Sequence, residues 1–116
     1  MSTLDALRRE PDQHHYSQGA TVFQEGDAGD CMFAVVEGSV GIVMHGAQVE
    51  QIDAGGIFGE MALIDGHPRS ASAVALTDCT LAAIPEKRFL RLVEQMPYFA
   101  LQMMRVITER LRRRDV

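Results

Sequence analysis

The feature that most constrains the fold is a series of short apolar segments between Ala20 and Ile84, separated by glycine-containing turns. The segments are rich in Val, Ile and Phe, and they are TVF, CMFAVV, VGIVM, VEQI, SASAVAL and CTLAAI. The stretches between them include QEGDAGD, EGS and HGA, where glycine supplies the positive φ angles that tight connections need. Several short strands without a long helix between them favour an antiparallel sandwich or barrel.

Beyond Ile84 the apolar residues recur at the spacing of an α-helix. A first helix is predicted from Pro85 to Met96, and a second from about residue 97 to 114. The apolar stripe of the second helix consists of Leu101, Met104, Ile107 and Leu111. We interpret this stripe as core packing, with a mobile lid or a dimer seam as the alternatives. A further short helix is predicted over residues 3–9.

The length of 116 residues fits a single domain over 1–116, divided into an N-terminal helical segment (1–12), a strand-rich region (13–85) and C-terminal helices (86–116). No run of eighteen apolar residues occurs, and the first residues lack the pattern of a signal peptide, so we expect a cytoplasmic protein without a membrane partner. Cys31 and Cys79 lack CxxC spacing and are expected to be buried reduced thiols.

The charge is distributed unevenly along the chain. Residues 1–78 contain twelve acids and three bases, whereas residues 79–116 contain four acids and eight bases. The basic cluster Arg110, Arg112, Arg113 and Arg114 closes the second predicted helix, where cations complement the negative end of the helix dipole. We therefore expect no nucleic acid partner.

The segment FGEMALIDGHPRSASAV, from Phe58 to Val74, contains Arg69, which is the only Lys or Arg between Arg9 and Lys87. Gly59 is followed by good helix formers, and a short helix here would direct unpaired backbone amides toward an anion. Arg69 adds a forked donor that can pair with two phosphate oxygens. The segment therefore predicts a site for a small anion.

Glu60 has two interpretations beside such an anion. Its carboxylate can accept a hydrogen bond from a sugar hydroxyl of the same ligand, which would select a ribose phosphate. Alternatively, Glu60 complements the helix dipole and forms a plain salt bridge with Arg69. The residues alone leave both interpretations open.

The same segment resembles the phosphate-binding cassette of cyclic nucleotide-binding domains, in which Phe-Gly-Glu-(Leu/Met)-Ala-Leu is followed across a short loop by Arg-(Ser/Thr/Ala)-Ala. The upstream stretch GATVFQEGDAGDCMFAVVEGSVGI is similar to the strand-turn-strand opening of that family, and the resemblance extends to the two C-terminal helices. The resemblance implies a mainly β fold with flanking α: an antiparallel β jelly-roll barrel with an embedded short helix and two C-terminal helices.

The resemblance also implies roles for particular residues. Glu60 and the backbone of Gly59 would hold the ribose 2′-hydroxyl, and Arg69 would neutralise the cyclic phosphate. The remaining phosphate contacts would come from the backbone amides of Met61 and Ala62 and from Ser70 and Ala71. The ligand would be cAMP or cGMP, and no metal is implied. In the family a hydroxyl residue directly after the arginine can contact guanine, and Ser70 occupies that place, but serine is also common there in members that prefer cAMP. We favour cAMP.

In the family the C-terminal helix covers the purine, and our hypothesis is that the ligand-free protein keeps this helix displaced or mobile and that the ligand shifts it toward a closed form. Here that helix offers Met103, Met104 and Leu111 for apolar contact, and Arg105 and Arg110 for stacking on the ring. The sequence does not choose among the five. The resemblance therefore predicts a signal carried by this helix to a protein partner or to a second copy of the chain.

Two other function classes compete with this one. A cupin-like metal enzyme would need histidines at strand spacing, but His14 and His15 are adjacent, His45 lies at a predicted hairpin tip and His67 lies in a loop. No Ser-His-Asp or Cys-His arrangement is evident, so we predict that the protein is not an enzyme. A ligand-free interaction module of the same fold would be expected to have lost Arg69, which is present.

Overall fold

The computed structural model describes residues 3–114. A 3-10 helix spans Thr3–Arg9, and the strands that follow are β1 (Gln13–Tyr16), β2 (Thr21–Phe23), β3 (Cys31–Glu37), β4 (Ser39–Met44), β5 (Ala47–Asp53), β6 (Ile57–Phe58), β7 (Ser72–Ala75) and β8 (Cys79–Pro85). The α-helices are α1 (Glu60–Asp65), α2 (Glu86–Gln95) and α3 (Pro97–Arg114).

The strands form two antiparallel four-stranded sheets. Their strand orders are β1-β8-β3-β6 and β2-β7-β4-β5, and each sheet therefore combines strands that are distant in sequence. The predicted fold class is confirmed: the sheets form a jelly roll, α1 is the embedded short helix, and α2 and α3 follow the last strand. Among the described strands, hydrogen bonds do not close the two sheets into one barrel.

The first of two cores lies between the sheets. It includes Val35, Val40 and Leu81, each 0% exposed, and a group of three rings. Phe33 and Phe58 stack with ring centroids 5.3 Å apart, and Phe23 lies 6.0 Å from Phe33 and 5.9 Å from Phe58. These aromatic side chains form the floor of the roll at the end where β6 leads into α1.

The second core lies on the outer face of the first sheet. Met32 and Ala34 of β3 and Ala82 and Ile84 of β8 point outward and are covered by the helices. The remaining buried members of this cluster are Leu7, Ile57, Leu92, Phe99 and Met103. The central strands β3 and β8 are therefore buried on both faces, which explains why CTLAAI is apolar at every position except Thr80 instead of alternating.

The packing of α3 differs from the prediction. Leu101, Met104 and Leu111 are 41%, 61% and 51% exposed, so the interpretation of that stripe as core packing is wrong. The helix instead buries Phe99 and Met103 against the second core. Apolar residues occur on two faces of α3, and spacing alone does not indicate which face meets the domain.

Both cysteines are free, but their burial differs. Cys79 is buried, as expected, whereas Cys31 is only partly buried. Burial, with a further contribution from the charge of Asp30, raises the pKa of the Cys31 thiol to about 11, so this thiol stays protonated at neutral pH. Among residues 3–114, no helix has the length and apolar character needed to cross a membrane.

Candidate functional site

One pocket at the β6–α1 end of the roll contains all seven residues predicted for the site. It is lined by Gly59, Glu60, Met61, Ala62, Arg69, Ser70 and Ala71. The floor is formed by Phe23, Ile42 and Phe58, and the sides by Glu50, Asp65, His67, Pro68 and Arg110. Strand, helix, loop and C-terminal helix therefore meet around a single cleft.

The chain can turn into the pocket because of a glycine between β6 and α1. Gly59 has φ 80°, a backbone conformation that other residues rarely adopt. A Cβ atom at this position would lie 2.8 Å from Nη1 of Arg69, which is too close. Gly59 therefore allows both the turn and the approach of the arginine.

Arg69 is buried, with 6% of its surface exposed, although no carboxylate within residues 3–114 pairs with it. Its Nη1 donates to the carbonyl oxygen of Gly59 at 2.8 Å, and its Nη2 donates to that of Cys31 at 2.6 Å. The guanidinium carbon lies 4.1 Å from the centre of the Phe23 ring. Nε is buried and has no hydrogen-bond partner. Arg69 is thus held firmly while its charge stays uncompensated and one donor stays unused.

The loop that precedes β3 fixes the backbone of Arg69. The amide of Arg69 donates to the carbonyl of Asp27, and the amide of Gly26 donates to the carbonyl of Arg69, both at 2.8 Å. A Cβ at Gly29 would lie 2.3 Å from Cβ of Ala62 and 3.0 Å from Cζ of Arg69. The glycine-rich QEGDAGD turn therefore has a second purpose beyond chain reversal, because it makes room for the guanidinium.

Glu60 is almost fully buried, and its partner is not the predicted one. Among the described residues no salt bridge joins it to Arg69, so the salt-bridge part of that alternative is wrong, although Glu60 does lie in the first turn of α1. Its Oε1 accepts a hydrogen bond from Nη1 of Arg110, which is brought to the pocket by α3. The same guanidinium donates to the carbonyl of Ile57 and, through Nε, to Oε2 of Glu50 at 3.2 Å.

The five candidates on the C-terminal helix have different positions. Met103 is buried in the second core, and Met104 and Leu111 are exposed outside the pocket lining. Arg105 lies near Tyr98, with Nη1 3.3 Å from the tyrosine hydroxyl. Among the described residues of α3, only Arg110 lines the pocket, and it contacts Glu60.

Glu50, Phe23 and Ile42 also line the pocket, and the sequence did not single them out. They lie on β5, β2 and β4, which belong to the second sheet, and nothing in their local sequence marks them. Three or more clustered His, Cys, Asp and Glu residues that could hold a metal ion do not occur within the described part of the chain. The pocket is therefore defined by two arginines, two glutamates and an aromatic floor.

The fold is that of a known family of ligand-binding domains. The profile of the cyclic nucleotide-binding domain matches residues 13–96, and the chain belongs to that family. Over 106 residues it is 35% identical to the cyclic AMP receptor protein of Thermus thermophilus, a match that covers 87% of this chain and 49% of that protein. The chain thus spans about half the length of this curated relative.

Solved protein structures also resemble this chain, and two of them contain a bound cyclic nucleotide. The crystal structure of the catabolite activator protein of Thermus thermophilus has a TM-score of 0.86 and 32% identity, and the match covers 97% of this chain and 55% of that one. The cAMP-bound and cGMP-bound forms of the EAL enzyme Bd1971 have TM-scores of 0.67 and 0.69 at 36% and 37% identity, and the matches cover 86% and 87% of this chain and 28% of that one.

Proposed function

We propose that this domain binds a cyclic nucleotide, cAMP in preference to cGMP, and transmits binding through α3. The observation that carries the proposal is Arg69: a buried cation with an uncompensated charge and an unused Nε donor, in the same pocket as a buried glutamate. A guanidinium that only carbonyls and a ring hold is ready for an anion, because no carboxylate has to be displaced.

In the proposed complex Arg69 binds the cyclic phosphate. Glu60 accepts a hydrogen bond from the ribose 2′-hydroxyl, and the backbone of Gly59 also holds that hydroxyl. A carboxylate has two oxygens and about four lone-pair directions, so Glu60 can accept from the ligand while it pairs with Arg110. The sugar and the phosphate would therefore be recognised by neighbouring groups on α1 and on the segment that follows it.

The remaining phosphate contacts are assigned to the segments on either side of Arg69 and Glu60. The backbone amides of Met61 and Ala62 belong to the first turn of α1, and Ser70 and Ala71 lead into β7. Ser70 is exposed at the pocket, so its hydroxyl is accessible to a ligand. These groups supply hydrogen bonds without bulky side chains in the way.

The preference for cAMP is supported by the similarity to the Thermus thermophilus cyclic AMP receptor protein. Bd1971 has been solved with both nucleotides, so the family resemblance by itself does not exclude cGMP. Calorimetric titration with cAMP, cGMP and 5′-AMP tests the function and the preference together. We expect cAMP to bind most tightly and 5′-AMP least, and a protein that binds none of the three would refute the proposal.

The signal is proposed to leave through the exposed face of α3. Leu101, Met104 and Leu111 follow the three- and four-residue spacing of a coiled-coil seam, with Thr108 between them. We assign this face to a second copy of the chain. Light scattering should show a dimer that Met104→Glu dissociates, and a wild-type monomer at high micromolar concentration would contradict this assignment.

We also propose that residues 1–116 act as one binding unit and not as an enzyme. Ser70 and His67 both line the pocket, but in the described structure no hydrogen bond joins them into a nucleophile and base. Incubation with cAMP followed by chromatography should therefore return the nucleotide intact, and formation of 5′-AMP would show catalysis.

A further inference from the structure

Glu50 lies outside the cassette, yet it connects the cassette to the C-terminal helix. It is on β5, and its Oε2 accepts from Nε of Arg110 at 3.2 Å and from Nη2 of Arg113 at 3.4 Å. The side chains of Glu50 and Arg110 are only 16% and 13% exposed. Glu50 is therefore the partly buried acid at which the last turns of α3 meet the second sheet.

Arg110 links Glu50 to Glu60 through different nitrogens of one guanidinium. Nε faces Glu50, Nη1 faces Glu60 and Nη2 faces the carbonyl of Ile57. A planar guanidinium with three partners in fixed directions has little freedom to rotate. Glu50 is thus one of the three groups that fix the position of Arg110 relative to Glu60.

We propose that Glu50 is a positioning residue for the ligand site. It holds Arg110 against Glu60 and so couples the position of the ribose acceptor to the position of α3. This inference rests on the proposed function, because it assigns Glu60 to the ribose. A buried carboxylate without a cation is costly, so Arg110 keeps Glu60 in place as an acceptor. Glu50 acts on the ligand only through Arg110, and it thereby couples ligand binding to the end of α3.

The test is Glu50→Gln, which keeps the size of the side chain and removes its charge. The matched control is Glu109→Gln, which makes the same charge change at an exposed position of α3. We expect Glu50→Gln to bind cAMP about 3- to 10-fold more weakly than wild type. Its preference for cAMP over 2′-deoxy-cAMP should also fall by about 3-fold. The control should change neither value.

A purely structural role for Glu50 would not alter the 2′-hydroxyl preference. Weaker binding with an unchanged preference would therefore overturn the proposal, and so would unchanged or tighter binding. The double variant Glu50→Gln, Arg110→Gln should bind no more weakly than Arg110→Gln alone, since Glu50 acts through Arg110. Effects that multiply would also contradict the proposal.

The positioning role of Glu50 and the proposed binding of a cyclic nucleotide can fail separately. If wild-type protein binds no cyclic nucleotide, the proposed function fails, and the positioning of α3 is read from amide hydrogen exchange. Residues 105–113 should then exchange faster in Glu50→Gln than in Glu109→Gln. Equal exchange in the two variants would show that Glu50 does not hold the helix.

Discussion

The two arginines at the pocket are held in opposite ways. Arg69 contacts the carbonyl oxygens of Gly59 and Cys31 and the ring of Phe23. Arg110 contacts the carboxylates of Glu50 and Glu60. Arg69 comes from a short segment of the β-roll, whereas Arg110 comes from a helix about forty residues later.

The two arginines therefore contribute different properties to the pocket: Arg69 contributes charge, and Arg110 contributes a fixed position. Carbonyl oxygens and a ring face orient a cation without cancelling its net charge, so Arg69 remains available to an anion. Carboxylates orient a cation and neutralise it, so Arg110 contributes a fixed position more than a field. Within the proposed function, we therefore assign ligand affinity mainly to Arg69 and the coupling of the helix mainly to Arg110.

Arg69→Ala tests the first half of this comparison and should have the largest effect. Loss of one partner of a desolvated charge pair typically costs about 2 to 5 kcal/mol, which is roughly 30-fold to several-thousand-fold in affinity. Calorimetric titration with cAMP measures this loss of affinity, and circular dichroism should show an intact fold. Arg105→Ala, an exposed arginine near Tyr98, is the control; equal affinity in both variants would remove Arg69 from the site.

Arg110→Ala tests the second half, through stability. It leaves the buried carboxylate of Glu60 without its cation, and we expect the free energy of unfolding in urea to fall by about 2 to 4 kcal/mol. Adding Glu60→Gln to this variant should restore part of the loss, since the unpaired charge is then gone. If Arg110→Ala is as stable as wild type, Glu60 does not need this partner.

The 2′-deoxy analogue of cAMP tests Glu60 without altering the protein. Wild type should bind it more weakly than cAMP by about 1 to 3 kcal/mol, because Glu60 then loses a hydrogen-bond donor in a buried site. Glu60→Gln should narrow the difference. Equal affinities for cAMP and the analogue in calorimetry would limit Glu60 to its structural pairing with Arg110.

Phe23→Leu should have the smallest effect and sharpens the role of the ring beneath Arg69. The cation–π contact is worth about 1 kcal/mol, so cAMP affinity should fall by roughly 5-fold. Phe33→Leu changes a neighbouring ring of the same core that does not lie under the guanidinium, and it should reduce stability without a comparable loss of affinity. Equal affinity losses in the two variants would mean that only core packing is involved.

Part of the pocket and of the fold could be predicted from the sequence. The residues from Gly59 to Ala71 are close in sequence, and their spacing already placed a helix start and a single cation together. The bounds of α3 were likewise predictable, because Pro97 and a continuous helical pattern define them. Local chemistry therefore indicated half of the pocket and the strands and helices of the fold, whereas the jelly-roll arrangement was implied by the family resemblance.

The other half of the pocket depends on contacts between distant segments. Glu50 and Arg110 are sixty residues apart, and they meet only because α3 packs its Phe99 and Met103 face on the first sheet. Apolar spacing in α3 favoured the opposite face as core, and the error arose because two stripes compete on one helix. The partner of Glu60 could not be predicted without knowing which stripe was buried.

The double burial of β3 and β8 has a consequence for the accuracy of folding. A one-residue slip between two strands is normally penalised because it exposes an apolar face, but both faces of these strands are apolar. Their alignment must then be selected at one end of the β3–β8 pair. At that end a bulge follows Val35, and Gly38 adopts φ 87°. A Cβ at Gly38 would lie 2.4 Å from the carbonyl oxygen of Asp78, so the chain closes there in one arrangement. We therefore expect the correct pairing of β3 with β8 to depend on a glycine that does not line the ligand pocket.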